Sequence, residues 1–359
     1  MQDRSPSDVV KPEVRRLSAY TLAHFEADVK LDQNENPYEI PMDLKREVVE
    51  RVLRRPWGRY PEFVPAALIK TLAKYSGWRE DGILVGNGSN ELIQATLTVT
   101  LGPGRSLAAH QPTFTLYKLM ATALQAKVID VPLNPEDLTF DVDGLIQAAR
   151  WSEVVVVCCP NNPTGTLLDP DALAAVLKNA RGLVLIDEAY HEFSGQTALP
   201  LLPKHPNLVV LRTFSKAMAM AGLRFGYLMA HPEIAREIYK AKLPYNVNIF
   251  TLAAADIVVE KRAVLREAIS KLVQERERVT GELQRRPAVR VFPSKANFVL
   301  IRTPKPARDL FDALYKQGVL VRDVSAYPLL ERCLRVSIGL PEENDRFIKA
   351  LDRVLENTP

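Results

Sequence analysis

The chain has 359 residues, 47% hydrophobic and 25% charged, enough to bury an ordinary core and to form two domains. Its 47 basic and 43 acidic residues leave a net charge of +4, which is too balanced to indicate a nucleic-acid partner. The three cysteines, the five histidines and the short apolar runs predict no disulfide framework, no metal site and no membrane span, so we expect a cytoplasmic protein.

The first sixty residues contain two loops that carry polar or aromatic side chains. Residues 1–16 are polar and predict a loose arm or a short first helix. An Asn/Glu/Pro cluster over residues 31–38 predicts a loop, and it is as typical of plain turn chemistry as of a binding loop. A helix predicted over residues 42–55 precedes the aromatic loop 57–61, where Tyr60 could reach outward.

A glycine-containing loop follows a short apolar strand at residues 83–85. The loop reads Gly-Asn-Gly-Ser-Asn-Glu over residues 86–91, and a helix follows it to about Thr100, with Ser89 as a suitable N-cap. A strand, a glycine loop and a helix start together offer backbone N–H groups to an anion, although the same pattern suits an ordinary tight turn. The loop is neither a dinucleotide fingerprint nor a Walker A motif, which argues against a nicotinamide or ATP site.

Apolar strands then alternate with helices. Strands are predicted over residues 107–109, 128–131, 153–159, 182–186 and 208–211, and helices over 66–75, 115–124 and 170–179. Strands that are apolar throughout are typical of a mostly parallel sheet covered by helices on both faces, which predicts an α/β fold. Ligands of such sheets bind beyond the carboxyl ends of the strands. Those ends lie at residues 86–90, 112–114, Asn162, 187–190 and 213–216.

Two charged residues at these strand ends are candidate functional groups. Asp187 follows five apolar residues, so its carboxylate should be partly buried and should need a cation. A helix N-cap or a structural ion pair is the more common role for such a residue, and the functional alternative is a pair with a protonated ring nitrogen. Lys216 lies among Phe214, Met218 and Met220, and burial turns an amine into a nucleophile suited to carbonyl chemistry. On its own, a lysine after a strand is more commonly a solvated loop residue.

A phosphate could bind close to this lysine. Thr213 and Ser215 supply hydroxyl groups, and Arg224 follows eight residues after Lys216.

The pattern changes from about residue 231 onward. Helices are predicted over residues 231–242, 249–284, 306–317 and 341–356, and shorter strands over 291–292, 297–301, 319–321 and 334–338. This order is typical of a smaller α+β domain. We therefore expect residues 1–30 to form an arm that joins the small domain, residues 31–245 to form the large domain and residues 246–359 to form the small domain.

Two arginines in the C-terminal part could share one cleft. Along the last strand Leu334, Val336 and Ile338 alternate with Arg335 and Ser337, so the two sets face opposite sides. Arg322 ends the preceding strand. Paired arginines suit a doubly anionic ligand such as a phosphate, although each arginine taken alone is more commonly part of a surface ion pair.

Taken as an ordered set, these motifs resemble those of the fold-type I, pyridoxal-phosphate-dependent aminotransferases over most of the chain. The motifs are Asn-Pro-Thr-Gly at 162–165, Asp-x-Ala-Tyr at 187–190, Ser-Lys at 215–216, Arg224 and the late Arg335. Within this class-II group, the chain is most similar to the histidinol-phosphate aminotransferases. That narrower resemblance rests on residues 31–38, 59–61, 86–91 and 212–227 and on the pair Arg322 and Arg335.

The resemblance implies a role for each candidate residue. Lys216 would hold the cofactor aldehyde covalently and move the proton, while Asp187 would keep the ring nitrogen protonated. The other implied cofactor contacts are Asn162 and Tyr190 at the phenolic oxygen, Phe114 on the ring face, and Ser89, Asn90, Thr213, Ser215 and Arg224 around the phosphate. Tyr60 would reach that phosphate from a neighbouring subunit, which implies a homodimer. The implied substrate contacts are Arg335 to the glutamate carboxylate, Arg322, Arg335 and Tyr20 to a substrate phosphate, and Asn36.

The activity implied by the resemblance is transamination of L-histidinol phosphate with 2-oxoglutarate, a step of histidine biosynthesis. Four alternatives remain open. An aromatic amino-acid aminotransferase or a threonine-phosphate decarboxylase would keep the cofactor and change the substrate. A non-catalytic ligand-sensing module is disfavoured because Lys216, Asp187 and Arg224 are all present. A nicotinamide dehydrogenase is disfavoured by the absence of a dinucleotide fingerprint.

Overall fold

A computed structural model describes residues 5–19, 21 and 25–356 of the chain. The α-helices are α1 (Pro12–Arg15), α2 (Met42–Leu53), α3 (Ala66–Ser76), α4 (Ser89–Thr100), α5 (Leu116–Ala123), α6 (Val142–Ala149), α7 (Pro170–Asn179), α8 (His191–Ser194), α9 (Pro232–Tyr239), α10 (Ile249–Glu260), α11 (Ala263–Gln284), α12 (Ala307–Tyr315) and α13 (Pro341–Glu356). The strands are β1 (Val29–Lys30), β2 (Ile83–Asn87), β3 (Ser106–Gln111), β4 (Lys127–Pro132), β5 (Val154–Cys158), β6 (Leu183–Asp187), β7 (Leu208–Thr213), β8 (Phe225–Ala230), β9 (Arg290–Phe292), β10 (Phe298–Arg302), β11 (Val319–Leu320), β12 (Arg322–Asp323) and β13 (Cys333–Ser337).

A seven-stranded sheet in the order β2-β8-β7-β6-β5-β3-β4 forms the larger layer of the structure. Its strands run parallel, except that β8 pairs antiparallel with both β2 and β7. Strands β5, β7 and β8 are buried along their whole length, because helices cover both faces of the sheet. The α/β fold predicted from the alternating apolar strands is confirmed, and the carboxyl ends of the parallel strands meet at one edge.

The C-terminal part contains a second, antiparallel sheet in the order β12-β13-β10-β9. Apolar residues of this sheet, of α12 and α13 and of the short parallel pair β1 and β11 form one hydrophobic cluster. Helix α10 packs instead against α2 and α3 of the N-terminal half. The division into domains at residues 30 and 245 stays a prediction. By residue number it assigns α10 to the small domain, whereas α10 packs against helices of the large domain.

Three local predictions differ from the structure. The helix predicted over residues 249–284 is two helices, because α10 is buried on nearly all sides whereas α11 buries one face and follows a different partner. Strand β8 was not predicted, since an antiparallel strand joined to β7 by the lysine loop does not follow the alternation of strand and helix. Gly88, rather than Ser89, occupies the N-cap of α4, and Ser89 is its first helical residue.

No helix within the described ranges is both long and apolar enough to cross a membrane. Within the same ranges, histidine, cysteine, aspartate and glutamate side chains do not gather into a group able to hold a metal ion.

Candidate active site

A pocket of about 390 Å³ opens where the carboxyl ends of the parallel strands face the C-terminal sheet. The loops that follow five strands, β1, β3, β5, β6 and β7, contribute to it. For the strands of the large sheet this is expected, because ligands of open α/β sheets bind beyond the carboxyl ends of the strands. The residues lining it are Asp32, Gln33, Asn34, Ser89, Asn90, Phe114, Tyr117, Cys158, Asn162, Asp187, Ala189, Tyr190, Thr213, Ser215, Lys216, Arg224, Arg322 and Arg335. Most side chains proposed from the sequence are therefore brought together in one cavity.

Asp187 forms the floor of the pocket at the end of β6, with only 4% of its surface exposed. Its Oδ2 atom accepts a hydrogen bond of 2.6 Å from the Tyr117 hydroxyl, and its Oδ1 atom accepts one of 3.1 Å from the Ala189 N–H. Burial raises the pKa of Asp187 to about 6, an effect that these two hydrogen bonds oppose. Among the described residues no cation pairs with this carboxylate, so the site has an anionic floor that is open to a cationic ligand atom.

Lys216 enters the pocket from the loop after β7. Its Nζ atom donates a hydrogen bond of 2.8 Å to the main-chain oxygen of Gln33. Burial, and after it the Arg335 guanidinium, lower the pKa of Lys216 to about 8. An amine with this pKa is unprotonated in a useful fraction of molecules near neutral pH, which makes it a nucleophile and a base.

Asn36 supports the lysine loop from outside the pocket. Its Nδ2 atom donates to the Ala217 carbonyl at 3.0 Å, and its Oδ1 atom accepts the Tyr38 N–H at 3.0 Å. Asn36 lines a neighbouring cavity and not the pocket itself. Both ends of its amide are thus engaged within the protein, and a contact between Asn36 and the substrate stays a prediction.

An anion-binding cradle lies at the N-terminus of α4. Gly88 has a φ of +75°, and a Cβ atom at this position would clash with the Arg224 guanidinium, so the close approach requires glycine. Arg224 donates to the Ser215 hydroxyl at 3.0 Å, and the Thr213 hydroxyl lies 3.0 Å from the same oxygen. A helix N-terminus, two hydroxyls and a guanidinium together match the needs of a phosphate group.

Asn162 and Tyr190 are connected to the C-terminal sheet by hydrogen bonds. Arg335 donates to the Asn162 Oδ1 atom at 2.6 Å, and the Tyr190 hydroxyl accepts the Asn34 Nδ2 group at 3.0 Å. Asn34 in turn contacts the Ser337 hydroxyl at 2.9 Å. Burial raises the pKa of Tyr190, so the phenol stays protonated and can donate a hydrogen bond into the pocket.

Arg322 and Arg335 face each other across β12 and β13, in direct register. Arg335 is 8% exposed, and it also donates to the Asp32 main-chain oxygen at 2.5 Å. Arg322 is half-buried and makes no hydrogen bond or ion pair with the residues that the structure describes. Two like charges in register repel each other, so an anion between them would relieve an unfavourable contact.

Of three further residues proposed as contacts, one lies in the pocket, one lies outside it and one is outside the described residues. Phe114 lines the pocket and packs edge-to-face against Tyr117, with ring centroids 5.6 Å apart. Tyr60 is 81% exposed and stacks on Tyr245 at 4.5 Å, outside the pocket. Tyr20 lies outside the described residues.

Sequence reasoning did not name six pocket residues as candidates, namely Asp32, Gln33, Asn34, Tyr117, Cys158 and Ala189. Gln33 contributes a main-chain oxygen, which no side-chain pattern reveals. Asn34 belongs to the polar cluster over residues 31–38, and that cluster was the available signal. Tyr117 and Cys158 lie within apolar periodic segments, where a buried tyrosine or cysteine is typical of a core.

The chain belongs to the class I and II aminotransferase family, which matches residues 26–351. A histidinol-phosphate aminotransferase of Chlorobium phaeovibrioides is 42% identical over 346 residues, covering 95% of this chain and 96% of that relative. The crystal structure of the histidinol-phosphate aminotransferase from Clostridium acetobutylicum superimposes with a TM-score of 0.86 at 28% identity, over 92% of this chain and 100% of that one.

A third comparison concerns the fold alone. The histidinol-phosphate aminotransferase from Sinorhizobium meliloti, solved in complex with pyridoxal-5'-phosphate, has a TM-score of 0.86 at 23% identity, over 97% of this chain and 98% of that one. The resemblance to aminotransferases stated from the motifs is confirmed.

Proposed function

We propose that the pocket binds pyridoxal 5'-phosphate. The single most telling observation is that a lysine of lowered pKa and a buried carboxylate without a cation line the same cavity. Pyridoxal phosphate carries an aldehyde for the lysine, a basic ring nitrogen for the carboxylate and a phosphate for the cradle at α4. The donor set of the pocket therefore fits each polar group of this cofactor.

We further propose that the chain transfers the amino group of L-histidinol phosphate to 2-oxoglutarate, which yields imidazole-acetol phosphate and L-glutamate. The pair Arg322 and Arg335 supports a substrate with an anionic group at the far end of the pocket. The names of the relatives support the same substrate. Arg335 would bind the carboxylate of glutamate, and both arginines would bind the phosphate of the amine donor.

Each residue of the pocket has its own role in the proposed reaction. When bound, the cofactor supplies an aldehyde that takes up the amino group and a ring that withdraws electrons from the substrate α-carbon. The Lys216 amine holds the resting cofactor and removes the proton from that carbon. Asp187 keeps the ring nitrogen protonated, and the amide of Asn162 and the Tyr190 hydroxyl orient the phenolic oxygen. Phe114 covers the ring face and excludes water.

The quaternary structure belongs to the proposal as well. Trp57 and Tyr60 are large side chains of one loop, 70% and 81% exposed. Tyr245, on which Tyr60 stacks, is exposed as well. Aromatic side chains on the surface favour a protein interface. We propose a homodimer in which Tyr60 reaches the cofactor phosphate of the neighbouring subunit. We also propose a cytoplasmic location, which the three unpaired cysteines support.

Borohydride reduction of the purified protein, followed by peptide mapping, tests the cofactor. We expect a pyridoxyl adduct on Lys216 and none in a Lys216→Ala variant, which should also lose the visible absorbance. An adduct on another lysine, or none, would overturn the proposed site.

A substrate panel tests the reaction. We expect turnover of histidinol phosphate with 2-oxoglutarate to exceed that of phenylalanine and tyrosine, and we expect no carbon dioxide from threonine phosphate. Preferential turnover of an aromatic amino acid, or decarboxylation of threonine phosphate, would assign one of the two alternative activities instead.

A further inference from the structure

Tyr117 is a buried titratable residue that the proposed mechanism does not use. It lies on α5 with no surface exposed to solvent, and its hydroxyl donates a hydrogen bond of 2.6 Å to Asp187. The ring of Tyr117 also meets the ring of Phe114 at an interplanar angle of 85°. The Tyr117 side chain thus contacts both the Asp187 carboxylate and the Phe114 ring, the two groups proposed to hold the cofactor ring.

The donors around Asp187 are few. The titratable groups facing it from neighbouring elements are Tyr117 on α5, Cys158 on β5 and Tyr190 after β6, while Glu188 lies beside it in the chain. None of these groups is a cation, and burial raises the pKa of Cys158 and Tyr190, so both are neutral. The carboxylate therefore depends on the Tyr117 hydroxyl and one backbone N–H for its stabilisation.

We propose that Tyr117 is a positioning residue that holds the Asp187 carboxylate in its anionic form and in one orientation toward the ring nitrogen of the cofactor. The proposal rests on the proposed function, because it requires pyridoxal phosphate in this pocket. A hydroxyl that donates to a carboxylate stabilises the ionised form and not the protonated one. Without that hydrogen bond, a proton shared between carboxylate and ring nitrogen would move toward the carboxylate, and the ring would lose positive charge.

The binding of cofactor analogues to the apo-protein tests this role without any turnover. Pyridoxamine 5'-phosphate is the probe, and its analogue with carbon in place of the ring nitrogen is the comparison, since neither needs a covalent bond to Lys216. We expect Tyr117→Phe to weaken pyridoxamine phosphate by about tenfold, the size of one hydrogen bond to a charged group, and to leave the carbon analogue unchanged. In an Asp187→Asn background, the same change should cause no further loss.

Tyr227→Phe provides the matched control. Tyr227 is 1% exposed, and its hydroxyl accepts a hydrogen bond of 3.3 Å from Arg212 instead of facing the pocket. This variant loses a buried hydroxyl of the same kind, so it should leave the affinities of both probes unchanged. Equal losses for the two probes in Tyr117→Phe, or no loss for either, would overturn the positioning role.

Two other results are possible, namely that Tyr117→Phe does not fold and that the wild-type protein does not bind the probe. If Tyr117→Phe does not fold, infrared difference spectra of the wild-type apo-protein and the Asp187→Asn variant at pH 8 decide the question. A protonated-carboxyl band from Asp187, or carboxylate bands at the frequencies of a carboxylate without a hydrogen-bond donor, would overturn the proposal. Carboxylate bands shifted by a strong hydrogen bond would support it. If the wild-type protein fails to bind pyridoxamine phosphate, the proposed function itself fails, which separates that result from a failure of Tyr117 alone.

Discussion

Asp187 and Glu188 are neighbours in the chain and are both buried, but their side chains lie on opposite faces of the large sheet. Glu188 accepts hydrogen bonds from the Arg212 Nε atom at 2.9 Å, the Thr197 hydroxyl at 2.8 Å and the Ala198 N–H at 2.5 Å. Arg212 is itself 4% exposed, so this face holds a complete buried ion pair. Such a pair has no capacity left for a ligand, and it fixes the end of β6 against β7.

Asp187 differs from Glu188 in the charge of its partners, not in its burial. It is 4% exposed against 2% for Glu188, yet its partners are a neutral hydroxyl and a backbone N–H. A buried carboxylate without a cation is costly unless a ligand supplies the cation. A buried acid whose charge is balanced by a cation of the protein is therefore structural, whereas a buried acid without a cation is a candidate catalytic residue.

The largest expected effects come from neutralising the two acids separately. Asp187→Asn should reduce kcat by about 100- to 1,000-fold, the size expected for one preorganised electrostatic contact, with little loss of stability. Glu188→Gln should instead lower the free energy of unfolding by about 3–5 kcal/mol, because Arg212 is left buried without its counter-charge. Steady-state kinetics and urea unfolding of both variants measure the two effects.

The two variants serve as controls for each other. If Glu188→Gln loses activity at unchanged stability, or Asp187→Asn unfolds while Glu188→Gln does not, the division between the two faces is wrong.

The free energy of unfolding of the apo-protein should depend on pH through Asp187. Burial raises the folded-state pKa of Asp187 to about 6, above its usual 3.8, so folding favours the protonated acid. This stabilisation is fully present below the usual pKa and is lost as the pH rises through about 6. The loss should amount to about 3 kcal/mol, at 1.4 kcal/mol for each pKa unit.

Urea unfolding of the apo-protein between pH 4 and pH 8 measures this loss of stability. Wild type should lose about 3 kcal/mol relative to Asp187→Asn across that interval, since the variant lacks the titrating group. Parallel pH profiles for the two proteins would mean that Asp187 titrates as an ordinary exposed acid. Lys216 affects stability in a different pH range. Because its folded-state pKa is lowered to about 8, the free energy of unfolding falls as the pH drops toward about 8.

The main features of the site were predictable because they depend on residue type and strand order. Apolar strands give the sheet, the sheet places its carboxyl ends together, and Asp187 and Lys216 stand directly after two of those strands. The same reasoning placed Arg335 and Ser337 on one face of β13, and the contacts of both with pocket residues confirm it.

Other features were not predictable because they depend on contacts between distant segments. Tyr117 lies 70 residues from Asp187 in the chain, and its segment has the periodicity of a core helix. Gln33 contacts Lys216 through its main-chain oxygen, and the type of its side chain does not indicate such a contact. The break between α10 and α11 follows from which surfaces each helix buries, and that is a property of the packed structure.

A smaller effect is expected where the pocket meets the C-terminal sheet. Arg322 has no partner among the described residues, in contrast to the fully paired Arg212. Arg322→Ala should raise the KM for histidinol phosphate by about 10- to 100-fold, because one charge-assisted contact to the substrate phosphate is lost. Glutamate, whose carboxylate is proposed to bind Arg335, should be affected much less.

Lys316→Ala is a suitable control for the loss of one positive charge, since Lys316 is exposed in the same half of the chain and does not line the pocket. Its KM values should match those of the wild type. Equal weakening of glutamate and histidinol phosphate in Arg322→Ala would mean that Arg322 is no phosphate-selective contact.

The smallest expected effect concerns a hydrogen bond at the rim of the pocket, far from the buried acids. The hydroxyls of Thr115 and Tyr327 lie 2.7 Å apart, and they join the segment after Phe114 to the segment after Arg322. Tyr327→Phe should raise the KM for histidinol phosphate by about two- to tenfold, as expected for one neutral hydrogen bond, because Arg322 and Phe114 are then held less firmly. Thr115→Val should have the same effect, and the double variant should show no additional loss. Additive losses in the double variant would show that the two hydroxyls act independently and that the rim contact does not position the pocket.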